Sequence, residues 1–196
     1  GETLRAGTCA RVCMRVRDGK GRSATGWGET PLSVQWVWPG TLAYEERHQA
    51  MRLFCIRLVE AWARFEAAGH CLEVGHAFIE TRLAELLENF NQDRAGREMP
   101  WLAALVCCSA FDIALHDAYG VLHGTPVYQT YGPEWMNDDL GAFLTPAQDA
   151  QVTFKGRYPE AFLELPPKTQ LAAWHLVGGM DRLDPAECDG TEPDDG

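Results

Sequence analysis

Along CARVCMRVR, residues Cys9–Arg17, the side chains Val12, Met14 and Val16 fall on one side and Arg11, Cys13, Arg15 and Arg17 on the other. A period of two over that length predicts a half-buried antiparallel strand. Asp18 and Gly19 supply a turn, and a second strand is expected over residues 23–29. Residues 30–40, TPLSVQWVWPG, hold two Pro and two Trp without a clear period. They read as a loop that leaves the sheet with its aromatics exposed or half-buried.

From Thr41 the period changes to threes and fours. Met51, Phe54, Cys55, Leu58, Trp62 and Phe65 share one helical face, with Thr41 as N-cap and Gly69 as the stop. A second helix is expected through Ile79, Leu83, Leu86 and Phe90, and the polar residues 89–98 break the pattern. Pro100 suits the first turn of a third helix, Trp101 to about His123, which is apolar nearly all round at its start. Such a helix is normally sandwiched between other elements. Gly124 is placed as its C-cap, and Pro126 prevents continuation. A short helical turn over residues 127–131 then closes a compact unit at Gly132. In residues 133–196 there is an amphipathic patch at 161–165 and one strand-like run, LAAWHLV, at 171–177. A lone strand must add to a partner that is present or missing.

Composition narrows the class. The net charge of -11 argues against nucleic acid or an anionic membrane as the main partner. Seven cysteines, an odd number without C-x-x-C spacing, fit reduced thiols and a cytoplasmic location better than a disulfide framework or a zinc site. The uncharged residues 100–111 are too few to span a bilayer, and no signal-peptide pattern opens the chain. The chain starts at Gly1 and closes in DPAECDGTEPDDG, which reads either as a natural flexible terminus or as a cut in a longer protein.

Several residues invite chemistry. In SAFDIALHDAYGVLHGTP, Asp112 and His116 stand four apart on one helix face, with Asp117 beside them. A metal site would need further ligands, so the favoured reading is structural: the acids bond backbone or Arg groups of a neighbouring layer. His70 and His76 in GHCLEVGH read as solvated histidines of an interhelical connection. The adjacent Cys107 and Cys108 read as small buried hydrophobes. Gly26-Trp27-Gly28 lacks the third glycine and the following helix of a phosphate cradle. Trp27, Trp36 and Trp38 read equally as a lid over an organic ligand or as a cover on the sheet end. His175 and Asp181 flank Gly178-Gly179 after the late strand, where ligands bind if that strand is parallel.

The block SAFDIALHDAYGVLHGTPVYQTYG resembles a helix of the mandelate racemase and muconate lactonizing branch of the enolase superfamily, and GWGETP resembles that family's G-x-G-E-x-x-P. The two motifs agree in order and spacing over residues 8–132. The resemblance implies an α+β fold: an antiparallel sheet and a three-helix bundle forming a capping domain over residues 1–132. Residues 133–196 would be a linker and the first strand of an incomplete (β/α) barrel, since a whole barrel takes about 250 residues.

The family abstracts a proton next to a carboxylate with a Lys or His base, and Mg²⁺ stabilises the enediolate. This chain has Lys20, Lys155 and Lys168, none in the family's Lys-x-Lys, and Glu192-Pro193 sits in the acidic tail. The resemblance therefore implies the N-terminal part of a racemase, epimerase, dehydratase or cycloisomerase acting on a small carboxylate such as a sugar acid. Mg²⁺ would belong to the full-length parent, with no cofactor bound by this chain and no catalytic or metal-ligating residue within it. Trp27, Glu29, Trp36 and Trp38 would be substrate-capping positions, and His175 and Asp181 would edge the pocket. The family is often oligomeric, which leaves a homo-oligomer open. The rival reading is a non-enzymatic helical interaction module that kept the capping fold and binds a protein through its Trp loop.

Overall fold

The computed structural model describes residues 7–164, 166–173 and Ala186. Strands β1 (Cys9–Arg17) and β2 (Ser23–Pro31) form an antiparallel hairpin that pairs Val12 with Gly28 and Met14 with Gly26. Asp18 closes its turn, accepting from the backbone N–H groups of Lys20 and Arg22 at 2.9 Å and from the Arg22 guanidinium at 2.7 Å. An Asp that bonds its own turn is what makes Asp-Gly a hairpin signal.

The segment expected to be a loop over residues 30–40 is more ordered. β2 runs on to Pro31, and Val34–Val37 winds a single helical turn, α1. Val34 and Val37 are each 1 % exposed, so two aliphatic side chains three apart pull the chain into a turn over the core. Helix α2 (Tyr44–Ala63) has Ala43, not Thr41, at its N-terminus and ends before Gly69. Past its end, Phe65 folds back edge-on to Trp62 at 5.8 Å and to Phe78 at 5.2 Å. The chain turns there to bury that ring.

The next helical run starts earlier than expected. It comprises α3 (Cys71–Phe78), a π-turn (Ile79–Leu83) and α4 (Ala84–Asn91), so the stretch read as a connection is largely helix. Helix α5 (Trp101–His123) has the expected bounds. Gly124, at φ 66°, takes the left-handed conformation that ends it. The turn after Pro126 is a 3-10 helix, Val127–Thr130.

Helix α5 packs against both strands and against α2, α3 and α4. It is long and apolar enough, by length and composition, to cross a membrane; half of its most apolar stretch is buried inside the protein. Against β2 its backbone comes close. A Cβ at Gly26 would strike the Ala118 backbone and lie 2.6 Å from the Ala114 carbonyl oxygen, and one at Gly28 would strike Ala110 and lie 2.6 Å from the Ala114 nitrogen. Glycine on the strand and alanine every fourth residue on the helix are what such contact requires. Away from the hairpin the core holds Met51, Phe54, Leu58, Phe78 and Leu83, none measurably exposed. Trp62 stacks on Phe78 at 3.9 Å. Each fully buried side chain of this kind is stabilising by roughly 1.5–3 kcal/mol.

The first compact unit continues past Gly132 to Leu163. Glu73 on α3 accepts from the Asn137 N–H at 2.5 Å, the Asn137 amide at 2.7 Å and the Asp138 N–H at 3.0 Å. Met136 and Leu140 are buried, and the Glu160 N–H donates to the Tyr131 carbonyl at 3.0 Å. The patch at 161–165 is entered by a 3-10 turn, Pro159–Phe162. In the second unit, residues 164–196, Lys168 pairs with Glu164 at 2.9 Å. Residues 171–173 are exposed and in no strand, and positions 174–177 of the expected strand lie outside the described residues.

Candidate functional site

The residues expected at capping positions separate into three surroundings. Trp27 and Glu29 occupy alternate positions on the outward face of β2, where Trp27 is 58 % exposed and Glu29 pairs with Arg11 at 3.0 Å. With Gly28 and Ile113 they line a shallow depression. Trp36, 69 % exposed on α1, lines a different depression with Leu32, Val34 and Tyr44. Trp38 departs from the expectation of a lid residue: it is 6 % exposed, its carbonyl accepts from the Arg47 guanidinium, and Arg94 sits 5.9 Å over its ring. Two positions apart, one inside the single turn of α1 and one just past its end, the two tryptophans fall on opposite sides, Trp36 outward and Trp38 buried. His175 and Asp181 lie outside the described residues.

The acids of α5 hold structure together. Asp117 accepts from the Trp27 backbone N–H at 2.8 Å, the bond to a neighbouring layer that the sequence led one to expect. Asp112 and His116 approach at 3.8 Å, and His116 Nδ1 shares a hydrogen bond of 2.7 Å with the Tyr131 hydroxyl. A Cβ at Gly75 would collide with the Asp112 carboxylate, so α3 crosses α5 at this point.

Next to this pair lies a centre that sequence reasoning missed. His70 is buried, 1 % exposed, and caps α3 instead of standing in solvent. Its Nδ1 accepts from the Leu72 N–H at 3.2 Å while its backbone N–H donates to Glu73 at 2.9 Å, a reciprocal cap. With Nδ1 accepting, Nε2 carries the proton and donates to Thr130 Oγ1 at 2.8 Å, which donates in turn to the Val127 carbonyl at 2.6 Å. The signal was His70 followed three residues later by Glu73, a capping-box spacing with an imidazole in place of the hydroxyl. His76 is on α3, with Phe143 edge-on at 5.0 Å.

Burial sets the protonation of this centre. It pushes His70 down to about 4, against the pull of Glu73, and it lowers His116. It raises Asp112, though 42 % of that side chain still meets solvent. Burial also pushes the Tyr119 phenol and the Cys71 thiol up to about 12, and it raises Tyr131. Neutral imidazoles and protonated phenols and thiols are what a packed hydrogen-bond network needs, whereas a nucleophile would need the opposite shifts.

Among the described residues no three His, Cys, Asp or Glu side chains are grouped so that they could hold a metal ion. Compared with known proteins, the chain matches no family model, no curated protein and no solved structure.

Proposed function

We propose that residues 1–132 are the capping domain of a Mg²⁺-dependent enolase-superfamily enzyme that removes a proton next to a carboxylate, such as that of a sugar acid. One observation carries the reading. The two stretches on which the resemblance rests, GWGETP and SAFDIALHDAYG, lie against each other: Gly26 and Gly28 meet the backbone of Ala110, Ala114 and Ala118, and Asp117 takes the Trp27 N–H. Motifs far apart in sequence thus have one joint physical reason for their glycines, alanines and aspartate.

On this reading the domain shapes a substrate pocket and excludes water from it. The outward face of β2 and the rim of α1, with Trp27, Glu29 and Trp36, supply the covering surface, and Trp38 supports it from the core. Proton abstraction and metal binding belong, on this reading, to barrel strands outside this domain.

The test has two arms. The 196-residue chain, mixed with Mg²⁺ and a panel of sugar acids in deuterated water, should exchange no α-proton by NMR; exchange would overturn the capping role. The coding sequence after Gly196 should encode a Lys-x-Lys followed by three strand-end carboxylates. A stop codon there would favour the interaction module, a reading that draws on the exposure of Trp27 and Trp36.

A further inference from the structure

Two thiols meet where α2 packs on α5. Small side chains let these helices approach: Cys107 shares a face of α5 with Ala103 and Ala104, and Ala50 precedes Met51 on α2, each of the four at most 1 % exposed. The Cys107 thiol donates to the Met51 carbonyl at 3.6 Å. A cysteine side chain is two bonds long, so that contact brings the backbone of α5 close to α2.

The second thiol lies at the same carbonyl. Cys55 follows Met51 by one helical turn, and a helical side chain leans back over the turn that precedes it. The Cys55 and Cys107 thiols are within hydrogen-bonding reach of each other, and both are free. Cys107 is buried, whereas Cys55 is half-buried and meets solvent. The hydrogen bond with Cys107 holds the Cys55 thiol below its ordinary value against burial, and the same bond together with burial raises Cys107. Cys55 is therefore the sulfur that ionises, and Cys107 keeps the proton that the thiolate accepts. Cys108 points about 100° further round α5, on the side of Trp62.

We propose that Cys55 and Cys107 form a modification site, at which a low-molecular-weight disulfide oxidises the pair to an internal disulfide that ties α2 to α5. The Cys55 thiolate attacks one sulfur of the reagent and forms a mixed disulfide, and the thiolate released takes up the proton that Cys55 lost. Cys107 then attacks Cys55 Sγ, and the remaining reagent sulfur leaves and takes the Cys107 proton. Two protein thiols are oxidised, one reagent disulfide is reduced to two thiols, and two electrons pass between them. The new bond closes a loop of roughly fifty residues, which restricts the unfolded chain and favours the folded one. The site is distinct from the Trp27 and Trp36 face and stands whether or not the capping role does.

The test incubates the native 196-residue chain with oxidised glutathione at mildly alkaline pH and maps its peptides by mass spectrometry without reduction. Cys55 should be found linked to Cys107, and the linked peptides should separate on reduction. Cys9 and Cys13, exposed and about 13 Å apart along β1, cannot bridge and should carry glutathione instead. The linked chain should melt about 10 °C above the reduced one. Cys108→Ala should still form the link, whereas Cys107→Ala should leave Cys55 holding glutathione. In the unaltered chain, Cys55 left free, Cys55 holding glutathione, Cys55 linked to Cys108 or Cys188, or a link that brings no rise in melting temperature would overturn the proposal.

Discussion

Asp117 of α5 accepts the backbone N–H of Trp27 at 2.8 Å, across 90 positions of sequence. A helix carboxylate thus does at one sheet edge what a neighbouring strand does elsewhere, with the added strength of a charged acceptor. Trp27 is 58 % exposed, so water can replace the lost partner, and Asp117→Ala should cost about 1 kcal/mol in urea denaturation. Asp117→Asn keeps an oxygen acceptor and should cost less. Equal losses in the two variants would remove the bond from the account.

The glycines of β2 should be intolerant. Gly26→Ala and Gly28→Ala each drive a methyl into helix backbone, which has no rotamer to yield. A loss of about 3 kcal/mol or more is expected for each. Gly19→Ala, with open space around it, serves as the control and should stay near zero.

Stability should depend on pH through His70. Its folded value, about 4, lies below the ordinary imidazole value, so the unfolded chain binds more protons in between. The contribution is complete above about 6.5, is lost as pH falls toward 4, and amounts to at most about 3 kcal/mol. Burial dominates this balance, Glu73 pulls the value up, His116 and His123 push it down, and the rings of Tyr119 and Tyr131 pack edge-on to the imidazole. Burial raises Glu73, but hydrogen bonds from Asp138, His70 and Asn137 outweigh it and leave it below its ordinary value. Its own loss therefore comes at lower pH. A His70→Gln variant should flatten the stability curve between pH 7 and 5; an unchanged slope would assign it to other groups.

Glu73 should also hold residues 137–138 in place. Removing it in Glu73→Ala strips the acceptor from Asn137 and Asp138, a loss of about 2 kcal/mol at a charged acceptor. Chymotrypsin should then cut faster near Trp135 and Phe143. An unchanged cleavage rate would mean that burial of Met136 and Leu140 alone anchors the segment.

Thiol chemistry should sort the cysteines by depth. Cys9 and Cys13 are exposed, whereas Cys71, Cys107 and Cys108 are buried. Burial pushes Cys71 and Cys108 up to about 12. Iodoacetamide at neutral pH should label Cys9 and Cys13 in the native protein and reach the buried three only in denaturant. Early labelling of Cys107 or Cys108 would show that α5 opens locally.

Much of this architecture was legible where local pattern and tertiary environment agree. The alternation of β1 and the Pro100 and Gly124 bounds of α5 needed no distant partner to be read. The end of α2 was not legible, because Phe65 continues the apolar period yet packs back on Trp62 and Phe78. His70 was hidden because histidine is an uncommon cap, and its burial depends on Thr130, sixty positions away. Trp36 and Trp38 look alike in sequence, and only the turn of α1 separates an exposed ring from a buried one. The role of Asp117 as a backbone acceptor was within reach, since the geometry of α5 offered it no metal partners.

The seam between Gly26, Gly28 and the alanines of α5 also acts as a gauge. Sliding β2 by one position would present Trp27 to the helix, and an indole cannot enter a space too small for a methyl group. A hairpin formed out of step is therefore refused at docking and must reopen. The helix proofreads the strand pairing before the core can close.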